Sequence, residues 1–214
     1  MKIKSIELCN YRLYKGYNKI IFEEEKDKNI HLISGENGFG KTTFLTSLLW
    51  CLYGKMITDI DDSFRKEILS NSYGAFLLGN LNNSLKQSVL SQLSKDEIQE
   101  IQKKGYNIHN EYIREYSQYF VAIEFCNVSI PSIPCDSLKV IRLFDFLRES
   151  EKVEILIDGV PNELAIEMGQ DVFINDFLIS KDIARFFFFD SEKIVSLADI
   201  NTTEEKKRLC SAYN

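Results

Sequence analysis

Asn29-Ile30-His31-Leu32-Ile33-Ser34-Gly35-Glu36-Asn37-Gly38-Phe39-Gly40-Lys41-Thr42-Thr43-Phe44-Leu45 is the stretch on which the reading of this chain turns. A short apolar run, read as a strand over Asn29–Ser34, enters a glycine loop. An apolar segment at helical spacing leaves it, through Phe44, Leu45, Leu48, Leu49 and Leu52, with Trp50, Cys51 and Tyr53 widening the face. A helix apolar on most sides is a buried helix, and Gly54 is placed to stop it. Phosphate binding needs backbone N–H groups turned into one concavity, and Gly35, Gly38 and Gly40 allow the dihedrals and the close approach this requires. The helix beginning at Lys41 aims the positive end of its dipole at the same point. The run Gly35-Glu36-Asn37-Gly38-Phe39-Gly40-Lys41-Thr42 fits the pattern G-x-x-x-x-G-K-[ST], in which the Lys41 ammonium reaches the β- and γ-phosphates and the Thr42 hydroxyl ligates Mg²⁺. The expected ligand is ATP with Mg²⁺; the competing reading is a glycine-rich strand-to-helix turn with no ligand.

Upstream of the loop, Ile3, Ile6 and Leu8 mark a strand that turns near Asn10–Tyr14, and Tyr17–Phe22 reads as its partner. Downstream, residues 56–118 are more polar and helical in pattern, most clearly over Ser84–Lys104, and read as an inserted helical arm. Strands return at Tyr119–Phe125, Leu138–Phe144 and Val153–Ile157, and Asp158-Gly159 is a short-turn signal. A helix is expected over Asp171–Ile179. Phe186–Phe189 reads as a strand buried on both faces and ending at Asp190.

Composition narrows the classes. At 214 residues the chain suits one domain or one lobe of something larger, and 44% hydrophobic residues with 15 Phe and 10 Tyr can build a sizeable core. A net charge of −6 argues against a uniformly basic DNA-coating surface, so any DNA contact must come from local patches or from another part of an assembly. The five cysteines are scattered without a C-x-x-C pair and only two histidines are present, which makes a zinc site improbable; Cys9 and Cys51 read as small core residues. The N-terminus lacks the apolar block of a signal peptide, and no window approaches 18 apolar residues. The expectation is a soluble, reduced, cytoplasmic protein with no membrane contact.

The form G-x-N-G-x-G-K-T-T, with Asn37 and a second threonine at Thr43, resembles the P-loop of ATP-binding cassette and SMC-type ATPases. The Asn-Lys-x-Asp run of guanine readers is absent. In that superfamily an asparagine-aromatic-arginine turn often precedes the loop, and Asn10-Tyr11-Arg12 stands in the corresponding place. The resemblance implies that Arg12 lies near the nucleotide phosphates; the plainer alternative is a solvent-facing turn arginine.

Two segments imitate the acidic strand of a cassette. Val153-Glu154-Ile155-Leu156-Ile157-Asp158 is followed by Gly159 where a catalytic Glu should stand, and its alternation suits a half-exposed hairpin strand. The second, Phe187-Phe188-Phe189-Asp190-Ser191-Glu192-Lys193-Ile194, resembles a block of the DndD-like DNA sulfur modification proteins and related SMC/SbcC-type ATPases, with Ser191 in place of the usual glycine. The resemblance implies a Q-loop in which Asp190 reaches Mg²⁺ and the attacking water, making Lys41 and Asp190 the catalytic pair and Thr42 and Asp190 the metal contacts.

The fold expected is therefore α/β: a P-loop NTPase of ABC/SMC type, the N-terminal lobe of an ATPase head with an inserted helical arm. Residues 1–55 would hold the first strands, the loop and its helix, 56–118 the insertion, 119–198 the β-rich part, and 199–214 the start of a helix leading to a coiled coil. The family implies a homodimer of heads around DNA, a C-terminal lobe from the same protein or a partner chain, and company among DNA-modification or defence proteins. A non-hydrolysing, nucleotide-gated interaction module and a compact transporter-type cassette are the rivals.

Overall fold

The computed structural model describes residues 1–22, 30–60, 62–130 and 135–187. Its centre is a six-stranded sheet in the order β2-β1-β3-β4-β5-β6, antiparallel at every pairing. The strands are β1 (Lys2–Tyr11), β2 (Tyr14–Ile21), β3 (Gln118–Cys126), β4 (Ser137–Asp145), β5 (Ser150–Ile157) and β6 (Val160–Pro161). Asp158 and Gly159 both adopt positive φ, as a two-residue primed turn between β5 and β6 requires.

The period of two assigns the faces. Leu8 pairs with Val121, Val121 with Arg142, and Val140 with Ile155, so one face carries Ile6, Leu8, Tyr119, Val121, Ile123, Phe125, Leu138, Val140 and Phe144, all buried. On this face lies the helix that follows the glycine loop, α1 (Lys41–Tyr53), with every residue from Thr46 to Tyr53 buried. Its Trp50 ring sits 5.7 Å from Tyr11 and 5.1 Å from Tyr119. Each such side chain contributes about 1.5–3 kcal/mol on burial, which explains a helix apolar on nearly all sides. On the opposite face Glu7, only 6% exposed, accepts from Lys19 at 2.9 Å and Lys139 at 3.0 Å. Burial raises its pKa, but those two hydrogen bonds outweigh burial and hold the carboxyl below the usual range.

The C-terminal end of α1 is fixed by a buried arginine. Arg142, 2% exposed, donates from Nε to the Cys51 carbonyl at 3.0 Å and pairs with Glu151 and Asp171. Glu151 Oε1 also accepts from Trp50 Nε1 at 3.1 Å and from the Tyr73 hydroxyl at 2.8 Å. Burial disfavours the guanidinium charge, and the two carboxylates more than restore it, so its pKa is raised. Gly54, at φ 50° and ψ −123°, caps α1 where a side chain would meet Arg142.

Residues expected to form an inserted arm make a run of short helices: α2 (Ile57–Ile60), α3 (Asp62–Asn71), α4 (Tyr73–Leu78), α5 (Asn83–Gln92), α6 (Lys95–Lys104) and α7 (Glu111–Ser117). Ser94 and Glu97 form a capping box that starts α6 and breaks the Ser84–Lys104 stretch in two. These helices do not stand apart from the sheet. Phe76, Leu77, Val89, Ile101 and Ile113 join the same buried cluster as the strands. Three more helices follow the sheet, α8 (Glu163–Met168), α9 (Gln170–Phe177) and α10 (Lys181–Phe187).

Two expected strands are absent where the structure can be read. Residues 30–34 pair with no other strand among the described residues, and Ile30 and Leu32 are 90% and 88% exposed. A strand exists only by its ladder, and both edges of β1 are already taken by β2 and β3. Phe186 and Phe187 belong to α10, not to a strand. Backbone bonds from Ile183 and Ala184 to the Ser180 carbonyl start that helix, and a short apolar run alone does not distinguish buried helix from buried strand. Phe188, Phe189 and Asp190, together with the tail 199–214, lie outside the described residues.

Candidate phosphate-binding site

The glycine loop owes its path to two left-handed residues, Gly38 at φ 86° and Gly40 at φ 93°. Between them Phe39 N–H bonds the Glu36 carbonyl at 3.3 Å, a tight turn that lifts the loop over the start of α1. Gly40 is buried beneath the turn joining β1 and β2. A Cβ there would lie 3.4 Å from the Tyr14 hydroxyl and 3.5 Å from Leu13 Cδ1, and that hydroxyl donates to the Gly40 carbonyl at 3.2 Å. So the hairpin holds the loop at its last glycine, by backbone.

The donors are left free. Gly40 caps α1 without a side-chain acceptor, and among the described residues no acceptor is seen for the amides of Asn37, Gly38, Gly40, Lys41, Thr42 and Thr43. Such orphan amides at a helix N-terminus form an anion site. No acidic residue occupies the first turn to cancel the dipole. The Lys41 ammonium folds back onto the carbonyls of Gly35 at 2.5 Å and Glu36 at 3.0 Å, arching over the same concavity. Thr42 is exposed, with its hydroxyl available to a cation, while its carbonyl accepts from Thr46 at 2.7 Å. The donor set suits a triphosphate. Among the described residues no cluster of three His, Cys, Asp or Glu could hold a metal alone, so Mg²⁺ here would be held jointly by Thr42 and phosphate oxygens.

Gly35, Glu36, Asn37, Gly38, Phe39, Gly40, Lys41, Thr42 and Thr43 are thus gathered at one end of α1, and all but Gly40 and the partly covered Thr43 are exposed. Arg12 lies in the turn between β1 and β2. Its backbone is left-handed, at φ 48°, and its guanidinium lines a hollow of about 450 Å³ with Glu67, Asn71, Ala75, Phe76 and Gly79. No residue of the loop lines that hollow, although Leu13, the next residue along, touches Gly40. The sequence carries no signal for Tyr14 or for the residues that hold Arg12, Asn80 and Asn82. A tyrosine two places after an arginine carries no motif, and Asn80-Leu81-Asn82-Asn83 reads only as a polar turn.

A profile of an AAA domain family matches residues 5–210, nearly the whole chain. The chain belongs to that family. Its AAA domain is also similar to curated proteins named DNA replication and repair protein RecF. The one from Clostridium kluyveri is 32% identical over 123 residues, 55% of this chain and 29% of the relative. That from Chlorobium phaeovibrioides is 29% identical over 136 residues, 62% of this chain and 33% of the relative. The matched part spans about a third of the length of these relatives. The family and this likeness together support a P-loop ATPase head of SMC/RecF type. Among the described residues no helix is long and apolar enough to cross a membrane.

Proposed function

We propose that this AAA domain binds Mg-ATP at Gly35–Thr43 and serves as the nucleotide-binding part of an ATPase that acts on DNA. The observation that carries the reading is the set of unpaired amides between Asn37 and Thr43, crowned by Lys41 and set by Gly38 and Gly40. The amides would hold the β-phosphate oxygens, Lys41 would exchange its two carbonyl partners for phosphate oxygens, and Thr42 would orient the cation. Bound Mg²⁺ would neutralise charge developing between the β- and γ-phosphates. DNA as the polymer acted on is argued from the RecF relatives, and a pair of heads closing over ATP is the assembly that the SMC-type resemblance suggests.

Within that reading the block Phe187–Ile194 favours a DndD-like member working beside DNA-modification or defence proteins, with Asp190 contacting Mg²⁺ and the attacking water. Lys41→Ala tests the core of the proposal. Calorimetric titration with Mg-ATP should show affinity at least tenfold weaker, about 1.4 kcal/mol, with the melting temperature unmoved. Unchanged affinity would end the assignment. Stimulation of turnover by DNA in the complete protein would separate an ATPase from a nucleotide-gated module that does not hydrolyse.

A further inference from the structure

Among residues 35–42 Gly40 alone is buried, and its carbonyl carries two hydrogen bonds. One is the first helical bond of α1, from the Phe44 N–H at 2.8 Å. The other comes from the Tyr14 hydroxyl at 3.2 Å. That hydroxyl has no second acceptor among the described residues. Burial pushes its pKa up, with no charged neighbour contributing, so it remains a neutral donor.

The donor is held independently of the loop it touches. Asn10, 5% exposed and left-handed at φ 57°, accepts from the Gly16 N–H at 3.0 Å through its Oδ1. Its Nδ2 donates to the carbonyls of Gln118 at 3.0 Å and Glu115 at 3.1 Å. Asn10 thus ties the hairpin, on both sides of Tyr14, to the end of α7 and the start of β3. Tyr14 is a fixed point against which the loop is set.

The consequence appears one residue further along the loop. In a planar trans peptide the C=O and the following N–H point in opposite directions. The Gly40–Lys41 bond is trans, so donors on the Gly40 oxygen aim the Lys41 N–H away from the body of α1 and into the concavity. A donor on the carbonyl also polarises the peptide and strengthens its N–H as a donor. The bond from Phe44 is a terminal helix bond, and helix ends fray; the bond from Tyr14 is anchored in the sheet.

We propose that Tyr14 is a positioning residue whose hydroxyl fixes the Gly40–Lys41 peptide, so that the Lys41 N–H is presented to the β-phosphate common to ATP and ADP. This rests on the function proposed above. The hairpin thereby takes part in nucleotide binding through a single backbone amide.

The test uses the full chain with Mg-ATP and Mg-ADP as probes, measured by calorimetry. Tyr14→Phe keeps the ring beside Gly40 and removes the donor alone. It should weaken ATP and ADP by the same several-fold factor without moving the melting temperature. In the free protein the Lys41 amide resonance, read by ¹⁵N NMR, should shift, because the carbonyl bonded to that nitrogen has lost a donor. A merely structural tyrosine would lower the melting temperature and leave that resonance in place. Leu13→Ala removes packing on Gly40 but no donor, and should cost less affinity than Tyr14→Phe. Wild-type affinity in Tyr14→Phe, a loss confined to ATP, an unmoved Lys41 amide, or an equal loss in Leu13→Ala would each overturn the positioning role. Lys41→Ala, run alongside, separates this inference from the function it rests on. Wild-type ATP affinity in Lys41→Ala would mean that the nucleotide site is misplaced, whereas a loss there beside an unaffected Tyr14→Phe would remove the part given to Tyr14 alone.

Discussion

Gly54→Ala probes how the far end of α1 is held. The residue sits at φ 50° and ψ −123°, outside the regions open to residues with a Cβ, and forcing alanine there costs about 1–3 kcal/mol. The added Cβ would also lie 2.5 Å from Arg142 Nη1 and 2.8 Å from its Cζ, closer than such atoms approach. The guanidinium is enclosed, so relief requires it to give up at least one charge-assisted bond, to the Cys51 carbonyl or to Glu151, worth a further 1.5–3 kcal/mol or so. Together the loss should be about 3–5 kcal/mol, a large part of the stability of a domain this size. Gly105→Ala is the control. It is also left-handed, at φ 86°, but a Cβ there meets nothing within 4 Å, so it should show the backbone strain alone. Urea unfolding followed by tryptophan fluorescence reads both, since Trp50 donates to Glu151 in the same network. If Gly54→Ala costs no more than Gly105→Ala, Arg142 does not fix the end of α1 in the way described.

The other predictions concern the sheet's outer face, the cation and the proposed acid. Glu7→Gln should lower stability by about 1 kcal/mol at pH 7, because Glu7 accepts from two lysines. Since the folded carboxyl titrates below its ordinary value, its contribution is complete above that value and disappears as pH falls through the lowered one; urea midpoints of the two proteins should converge once pH is below that lowered value, and a constant gap would refute the ion-pair account. Thr42→Ala should leave ATP binding in EDTA unchanged and abolish the strengthening by Mg²⁺; an undiminished Mg²⁺ effect would remove Thr42 from the metal. Asp190→Asn should slow Mg²⁺-dependent hydrolysis by the complete protein without moving its melting temperature, and equal turnover would leave Asp190 with no part in the chemistry.

The antiparallel strands were legible because each alternates and is bounded by turn residues: β3, β4 and β5 extend the expected ranges by only a few residues. The loop was legible for a different reason, since three glycines, a lysine and a threonine in fixed register need no tertiary information. The two expected strands that are not seen among the described residues, at 30–34 and at Phe186 and Phe187, rest on short apolar runs. Such a run states a wish for burial but not the ladder that would provide it, and the backbone of Phe186 and Phe187 continues a helix begun at Ser180. Arg12 shows a third kind of limit. Its place in the turn could be read, but its direction is set by Asn80 and Asn82, some seventy residues further on.

The same limit explains how the site is built. α1 is held at its first turn by the Tyr14 hydroxyl on the Gly40 carbonyl, at its last by Arg142 on the Cys51 carbonyl, and along its side by Trp50 between Tyr11 and Tyr119. Two of these three contacts end on backbone oxygens. Backbone acceptors are present at every position, so the identities of residues 40 and 51 could not announce them. What the sequence does show is the donors, a tyrosine in a turn and an arginine at an inward position of β4 between Val140 and Phe144. An arginine there would cost several kcal/mol unless fully paired. Its presence in an otherwise apolar alternation is thus a signal of a buried polar partner, and the partner is the helix that carries the phosphate loop. Charge in β4 and geometry at Gly35–Thr43 are accordingly one construction, in which displacing Arg142 should be felt at the loop, at the opposite end of a helix of 13 residues.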